Sequence, residues 1–155
     1  MDKETIIELN KDIKRLEIIT DRFSKIGSAP ELTDTVLSEV MNSTIDYLRP
    51  RISKKVEFEI TQNQEGTIKA MLNQPLFSWV IENIIKNAVD AMSGKGKITV
   101  EISNEIQNVY IDITDTGKGI PASGHKAVFQ PGYTTKKRGW GLGLSLAKRI
   151  IEIYH

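Results

Sequence analysis

The sequence predicts an α+β fold, a two-layer α/β sandwich with helices packed on one face of a mixed sheet, and three observations carry that prediction. Short stretches of alternating apolar and polar residues arrive in adjacent pairs, residues 56–60 with 68–72 and residues 98–102 with 109–113. Longer stretches of helical periodicity flank each pair. A segment rich in Gly, Thr and Lys, residues 114–141, separates the last strand from a final helix. Strands that come in pairs, instead of alternating singly with helices, favour this architecture over a doubly wound parallel sheet.

The elements follow in chain order. Ile6, Leu9, Ile13, Leu16 and Phe23 keep a three-four alternation broken at Thr20, which is a heptad seam. Such a seam is expected to pair with another chain or another helix; folding back on its own domain is the other reading. The segment 25–30, KIGSAP, collects Gly, Ser and Pro and should stop that helix, placing a boundary between residues 1–27 and 28–155. A second amphipathic helix is expected from about Leu32 to Leu48, closed by Pro50. Val56, Phe58 and Ile60, then Ile68, Ala70 and Leu72, read as strands. A third helix runs from Pro75 to Ser93, with proline suiting its first turn and Gly94 its end. Ile98, Val100 and Ile102 pair with Val109, Ile111 and Ile113 as a hairpin through SNEIQN. The 114–141 segment is too long for a plain connector and reads as a functional loop, and a helix from Leu142 to about Ile153 follows.

Composition narrows the function classes. The chain has 155 residues, 39% of them hydrophobic, enough for a packed core. Twenty-one basic residues against twenty acidic ones give no global case for nucleic-acid or membrane-surface binding. With no cysteine, disulfides and thiolate chemistry are excluded, and the two histidines, His125 and His155, cannot build a His-rich metal site. No apolar run reaches the length of a membrane span, so this stretch is not expected to insert.

Three stretches can carry chemistry. VIENIIKNAVDAM puts Asn83 and Asn87 four residues apart on one helix. Projected at about 100° per residue, Val80, Ile81, Ile84, Ala88 and Ala91 form an apolar stripe with both asparagines at its edge. Amide oxygens there can meet a hydrated Mg²⁺ or a phosphate chain, and the bland alternative is a pair of boundary residues bonded to a loop. YIDITDTGKGI ends a strand in Asp115 followed by Gly117 and Gly119, a fixed carboxylate beside backbone that a flat ligand can approach. Such a carboxylate can accept a hydrogen bond from an exocyclic amine; the alternative is an ordinary Asp-initiated turn. GWGLGLSLAKRI leads Gly139, Gly141 and Gly143 into a helix, the arrangement of an anion site, preceded by Thr134, Thr135, Lys136, Lys137 and Arg138. The alternatives there are a glycine hinge and a solvated basic loop. Neither the dinucleotide fingerprint nor the P-loop is matched, because Leu144 or Leu146 stands where the first needs its last Gly, and His125 and Lys126 follow Gly124 where the second needs Lys and Ser/Thr.

Together these stretches resemble the ATP-binding catalytic domain of two-component sensor histidine kinases, within the superfamily of gyrase, heat-shock ATPases, histidine kinases and mismatch-repair proteins. NIIKNAVDAM resembles the N box, DTGKGI the first glycine box, VFQPGYTTK the F box and GWGLGL the second glycine box, in family order. RLEIITDRFSKIG resembles the end of a dimerisation hairpin. The resemblance implies a Bergerat-type fold, ATP and Mg²⁺ as ligands, and roles for particular residues. Asn87 would ligate the metal, Asn83 would lie near the phosphates, and Asp115 would select adenine. Gly117, Gly119 and Ile120 would flank the base; Thr135 and Lys136 belong to the lid; Gly139, Gly141, Leu142 and Gly143 would serve the phosphates. Asn83, Asn87 and Lys136 are then the residues expected to act in phosphoryl transfer.

Departures from the family pattern shape the expectation. Asn83 stands where the superfamily's ATPases usually carry a water-activating Glu, and Glu82 projects well away around the helix from Asn83 and Asn87, which favours transfer over hydrolysis. No phosphoacceptor histidine box is present, so the resemblance implies a catalytic part that acts on a histidine supplied elsewhere. The family continues beyond IIEIYH into a further strand or two. Gly132 and Trp140 replace an aromatic and a small residue in the lid region. The family also implies a homodimer through the first helix, a response regulator receiver domain as partner, and a cytoplasmic location even under an inner-membrane sensor. A serine kinase or ATPase of the same superfamily, or a non-catalytic scaffold module, is the competing expectation.

Overall fold

The computed structural model describes residue 24 and residues 30–137 and 139–155. The chain divides into two compact units, Met1–Glu31 and Leu32–His155. The heptad seam of residues 6–23 and most of the KIGSAP segment lie outside the described residues, as does Arg138.

The second unit runs β1 (Thr33–Val36), α1 (Leu37–Leu48), a 3-10 turn at Arg49–Arg51, β2 (Val56–Gln62), β3 (Lys69–Leu72), α2 (Gln74–Ala91), β4 (Gly96–Glu105), β5 (Asn108–Asp115), two short 3-10 turns and α3 (Gly143–Tyr154). The helix expected from Leu32 therefore loses its first turn to a strand. Thr33, Thr35 and Val36 are β-branched, and β1 pairs antiparallel with β3, Thr33 opposite Leu72 and Val36 opposite Lys69. The Leu37 amide donates to the Ile68 carbonyl at 3.0 Å, so the ladder's end fixes where α1 starts. Val36 offers no capping side chain, which is why the sequence carries no start signal there. Pro50 falls inside the 3-10 turn, not after it.

α2 begins and ends as its sequence dictates. Asn73 caps it, its side chain accepting the Leu76 amide at 3.1 Å, with Pro75 in the first turn. At the other end Gly94, with φ +75°, donates its amide to the Val89 carbonyl at 2.9 Å, and Ser93 also adopts a positive φ of 53°.

The strands form two ladders. β1–β3 is a two-stranded antiparallel sheet, and β2–β4–β5 is a mixed sheet in which β2 and β4 run parallel while β4 and β5 run antiparallel. The parallel pair requires a long crossover, which β3 and α2 provide between them. β4 and β5 join through a tight turn at Ile106 and Gln107, within the predicted hairpin. One face of β4 carries the core: Ile98, Val100 and Ile102 are fully buried against Leu37, Val40, Met41, Ile45 and Leu48 of α1 and Ile81, Ile85 and Ala88 of α2. The alternate residues Lys97 and Glu101 are exposed, as a period of two requires. On that outer face Lys97 pairs with Glu59 at 2.5 Å, and the hydrogen bond and charge of Glu59 raise the lysine above its ordinary pKa.

The stripe expected on α2 needs one correction. Ile85, not Ile84, is fully buried; Ile84 and Ala91 are only partly covered. Leu76, Phe77 and Trp79 are buried as well, because α2 packs both on the sheet side and against α3, whose Ala147 and Ile150 are buried. A helix with neighbours on two flanks is apolar over more than one stripe.

Candidate functional site

Three successive turns of α2 each hold one loop of the candidate site. Asn83 points its amide nitrogen back to the Trp79 carbonyl at 2.8 Å. That bond orients the opposite end of the amide, Oδ1, toward the first residue of α3: a methyl added at Gly143 would lie 2.9 Å from it. A side chain at 143 would thus crowd Asn83 of α2, and the approach brings Asn83 to the helix end whose unpaired amides favour anions.

One turn on, Asn87 Oδ1 accepts from Lys136 Nζ at 2.9 Å. The same ammonium also pairs with Asp90 Oδ2. Asn87 and Asp90 are three apart, and residues at that spacing share a helix face. Sequence reading missed Asp90, although its i+3 relation to Asn87 was a usable signal.

At the end of the helix, Gly117 crosses Ala91. A methyl at Gly117 would meet the Ala91 backbone carbon at 2.8 Å and Asp115 Oδ1 at 2.7 Å. The Lys118 amide donates to the Ala91 carbonyl at 3.3 Å, and the Thr116 amide to the Lys97 carbonyl at 3.2 Å, anchoring the turn on both sides. Asp115, the last residue of β5, accepts the Gly117 amide on Oδ1 at 2.7 Å. This Asx turn occupies one oxygen and leaves Oδ2 on an exposed carboxylate for another donor.

The loop between β5 and α3 is tied down at several points. The Gly132 amide donates to the Gly141 carbonyl at 3.0 Å, and a methyl at Gly141, where φ is +65°, would lie 2.5 Å from backbone atoms of Gly132 and Tyr133. The VFQPGYTTK and GWGLGL segments are therefore clipped together. Phe129 lies against Lys148 of α3, with Nζ 5.5 Å from the ring centroid. His125 Nε2 is 2.9 Å from the Ile120 carbonyl, which shapes the turn after Gly119. Gly119, with φ +69°, has open space around its α-carbon, so conformation and not packing selects glycine there.

The predicted residues are not all equally engaged. Asn83, Asn87, Asp115, Gly117, Lys136, Gly141 and Gly143 meet at or beside α2. Ile120 and Thr135 are exposed, and Leu142 and Gly139 flank the start of α3. In the lid the hydroxyl of Thr134, not that of Thr135, is held, accepting the Lys136 amide at 3.1 Å. Glu82 pairs with Lys86 at 2.5 Å and stays apart from the asparagines, as its projection implied.

The donor set suits a hard cation that keeps part of its own water. Asn87 Oδ1 and Asp90 Oδ2 already converge on one positive charge, and oxygen is the ligand that Mg²⁺ takes. Among the described residues no group of three or more His, Cys, Asp or Glu side chains is placed to hold a metal ion. Among the same residues no helix is long and apolar enough to cross a membrane.

Comparison with known proteins points the same way as the geometry. The family described as histidine kinase-, DNA gyrase B- and HSP90-like ATPase matches residues 72–155. The chain is similar to a sensor histidine kinase, ZraS, of Salmonella typhi, 37% identical over 147 residues, covering 92% of this chain and 31% of the relative. It is also similar to a nitrogen regulation protein, NtrY, of Azorhizobium caulinodans, 29% identical over 158 residues, covering 96% of this chain and 20% of the relative. It thus spans about a fifth to a third of the length of these relatives. Among solved structures, the nucleotide-free catalytic domain of the histidine kinase ThkA superposes with a TM-score of 0.73 at 28% identity, covering 81% of this chain and 82% of that one.

Proposed function

The chain belongs to the family of histidine kinase-, DNA gyrase B- and HSP90-like ATPases, and from that premise we propose that it is the ATP-binding catalytic part of a sensor histidine kinase, transferring the γ-phosphoryl of ATP to a histidine on a dimerisation helix. The observation that carries the reading is α2 itself, whose consecutive turns gather the second glycine loop at Asn83, the lid lysine at Asn87 and the first glycine loop at Ala91.

Each residue has a task that follows from its geometry. Asp115 Oδ2 accepts a hydrogen bond from the exocyclic amine of adenine, while the Gly117 contact holds the carboxylate in place. Gly117 and Gly119 let the base lie close to the backbone. The amides at the start of α3 receive the phosphates, a position kept open by glycine at 143. Asn87 offers its oxygen to Mg²⁺, which when bound supplies charge neutralisation and orients the phosphate oxygens. Lys136 brings a second positive charge on a loop that can follow the phosphates. Catalysis of this kind is positioning and electrostatics.

Two features favour transfer over hydrolysis. An amide at Asn83 cannot take a proton from water, and the nearest carboxylate in sequence, Glu82, is engaged with Lys86. The similarity to sensor kinases supports a homodimer through the first helix and a receiver domain as the next phosphate acceptor. The ThkA kinase has also been solved in complex with the response regulator TrrA, and it shares this chain's fold with a TM-score of 0.76 at 24% identity.

Calorimetric titration with ADP and a non-hydrolysable ATP analogue, with and without Mg²⁺, tests the site. Asp115→Asn should keep the Asx turn yet weaken binding about tenfold or more, because the amide presents a donor where the amine needs an acceptor. Labelled phosphate passed to a separately supplied histidine-bearing hairpin should be acid-labile and base-stable. Acid-stable label would instead place the chain among serine kinases, and no nucleotide uptake by the folded chain would refute the reading altogether.

A further inference from the structure

We propose that Asp90 and Asn87 together form the cation position of the site and that the Lys136 ammonium stands in for the metal until the metal itself arrives. The inference rests on the nucleotide reading above and adds to it a second acidic residue and an exchange. A lysine ammonium is a compact, strongly hydrated point charge. In this structure it is held by the Asn87 amide oxygen and an Asp90 carboxylate oxygen at once, both from one face of α2. Oxygens gathered around such a charge are the donors a hydrated Mg²⁺ takes, directly or through its water.

The pair is built to let go. Both side chains are about half exposed, 43% for Lys136 and 57% for Asp90, and ion pairs of that exposure contribute little to stability. Nothing else among the described groups holds the Lys136 ammonium, and the neighbouring loop carries no carboxylate between residues 116 and 142 to compete for it. When a phosphate chain brings its metal, the divalent ion outcompetes the ammonium for Asn87 and Asp90. Lys136 is then displaced toward the phosphates, where its charge is needed. One helix face thus couples metal entry to lid repositioning, and by linkage any gain of nucleotide affinity from metal equals the gain of metal affinity from nucleotide.

The test uses Mn²⁺ in place of Mg²⁺, titrated into the chain saturated with ADP and followed by the paramagnetic resonance of the free ion. Asp90→Asn should lower Mn²⁺ affinity roughly fivefold or more, the effect of one charge removed within a few ångströms of a divalent ion in partly screened water. It should not weaken ADP binding without metal, since it also removes a negative charge from the phosphates' neighbourhood. Lys136→Met should move Mn²⁺ affinity the opposite way, by removing the competitor. Glu65→Gln, at the other end of the sheet, serves as the control for general charge loss. If Asp90 only latches the lid, Asp90→Asn and Lys136→Met will shift Mn²⁺ affinity together or not at all, and the proposal falls. Failure of the parent reading looks different: a wild-type chain that takes up no ADP overturns the nucleotide site, and ADP binding indifferent to Mn²⁺ overturns the metal role of Asn87, each taking this inference with it.

Discussion

The contact between Asn83 and Gly143 predicts a strong coupling between two residues that are 60 positions apart. A methyl at residue 143 would lie 2.9 Å from Asn83 Oδ1, closer than real contacts allow. The asparagine cannot simply swing aside, because its nitrogen is bonded to the Trp79 carbonyl at 2.8 Å. Releasing that bond costs about 1 kcal/mol, and residual crowding adds about 1–3 kcal/mol. Against this, alanine is the better helix former by up to about 1 kcal/mol, less at a first helical position. Gly143→Ala should therefore destabilise the chain by about 1–3 kcal/mol, a fall of roughly 0.5–1.5 M in the urea midpoint at ordinary m-values. In an Asn83→Ala background the obstructing oxygen is gone, and the same substitution should be neutral or slightly stabilising. Helix propensity cancels between the two backgrounds, so the double-mutant cycle should report a coupling of about 2–4 kcal/mol. Additive effects, within about 0.5 kcal/mol, would refute the claim that Asn83 is what requires glycine at 143.

Two further outcomes are expected. Ile106 is fully exposed with φ +49° in the β4–β5 turn, a conformation a β-branched residue adopts only under strain, so Ile106→Asn should raise the unfolding free energy by about 1 kcal/mol; an unchanged or lower urea midpoint would show that the turn is not strained. His155 accepts the Asn73 amide on Nε2 at 3.1 Å and packs edge-on against Phe77, and burial lowers its pKa below 6.5, so its contribution is complete above that value and is lost as pH falls from 6.5 through the lowered pKa. Urea midpoints measured from pH 7.5 down to 5 should fall less steeply in His155→Gln than in the wild type, and equal slopes would mean that the ring titrates alike in both states.

Much of the site was legible in the residue order. Asn83, Asn87, Asp115 and the glycines at 117, 141 and 143 announce themselves by type and spacing, and the structure gathers them around one helix. Asp90 was overlooked because an acidic residue on a helix reads as solvated surface until a cation from a loop 46 residues away is seen on it. Ile84 was placed in the core in preference to Ile85 because an ideal projection assumes one buried face, whereas α2 has α3 on one flank and the sheet and α1 on the other.

Local chemistry, by itself, determined the helix of residues 74–91 with its Asn73 cap and Gly94 stop, the alternation of Ile98, Val100 and Ile102, and the supply of amides, carboxylate and glycines for a phosphate-bearing ligand. Those are properties of spacing and side-chain type within a few residues. Tertiary structure alone decided that residues 33–36 extend as a strand against β3, that β2 lies parallel to β4, and that Lys136 reaches Asn87 and Asp90. These depend on which distant segments pack together, and only folding, by burying the shared core and satisfying backbone groups across it, selects among the partners that a local pattern leaves open.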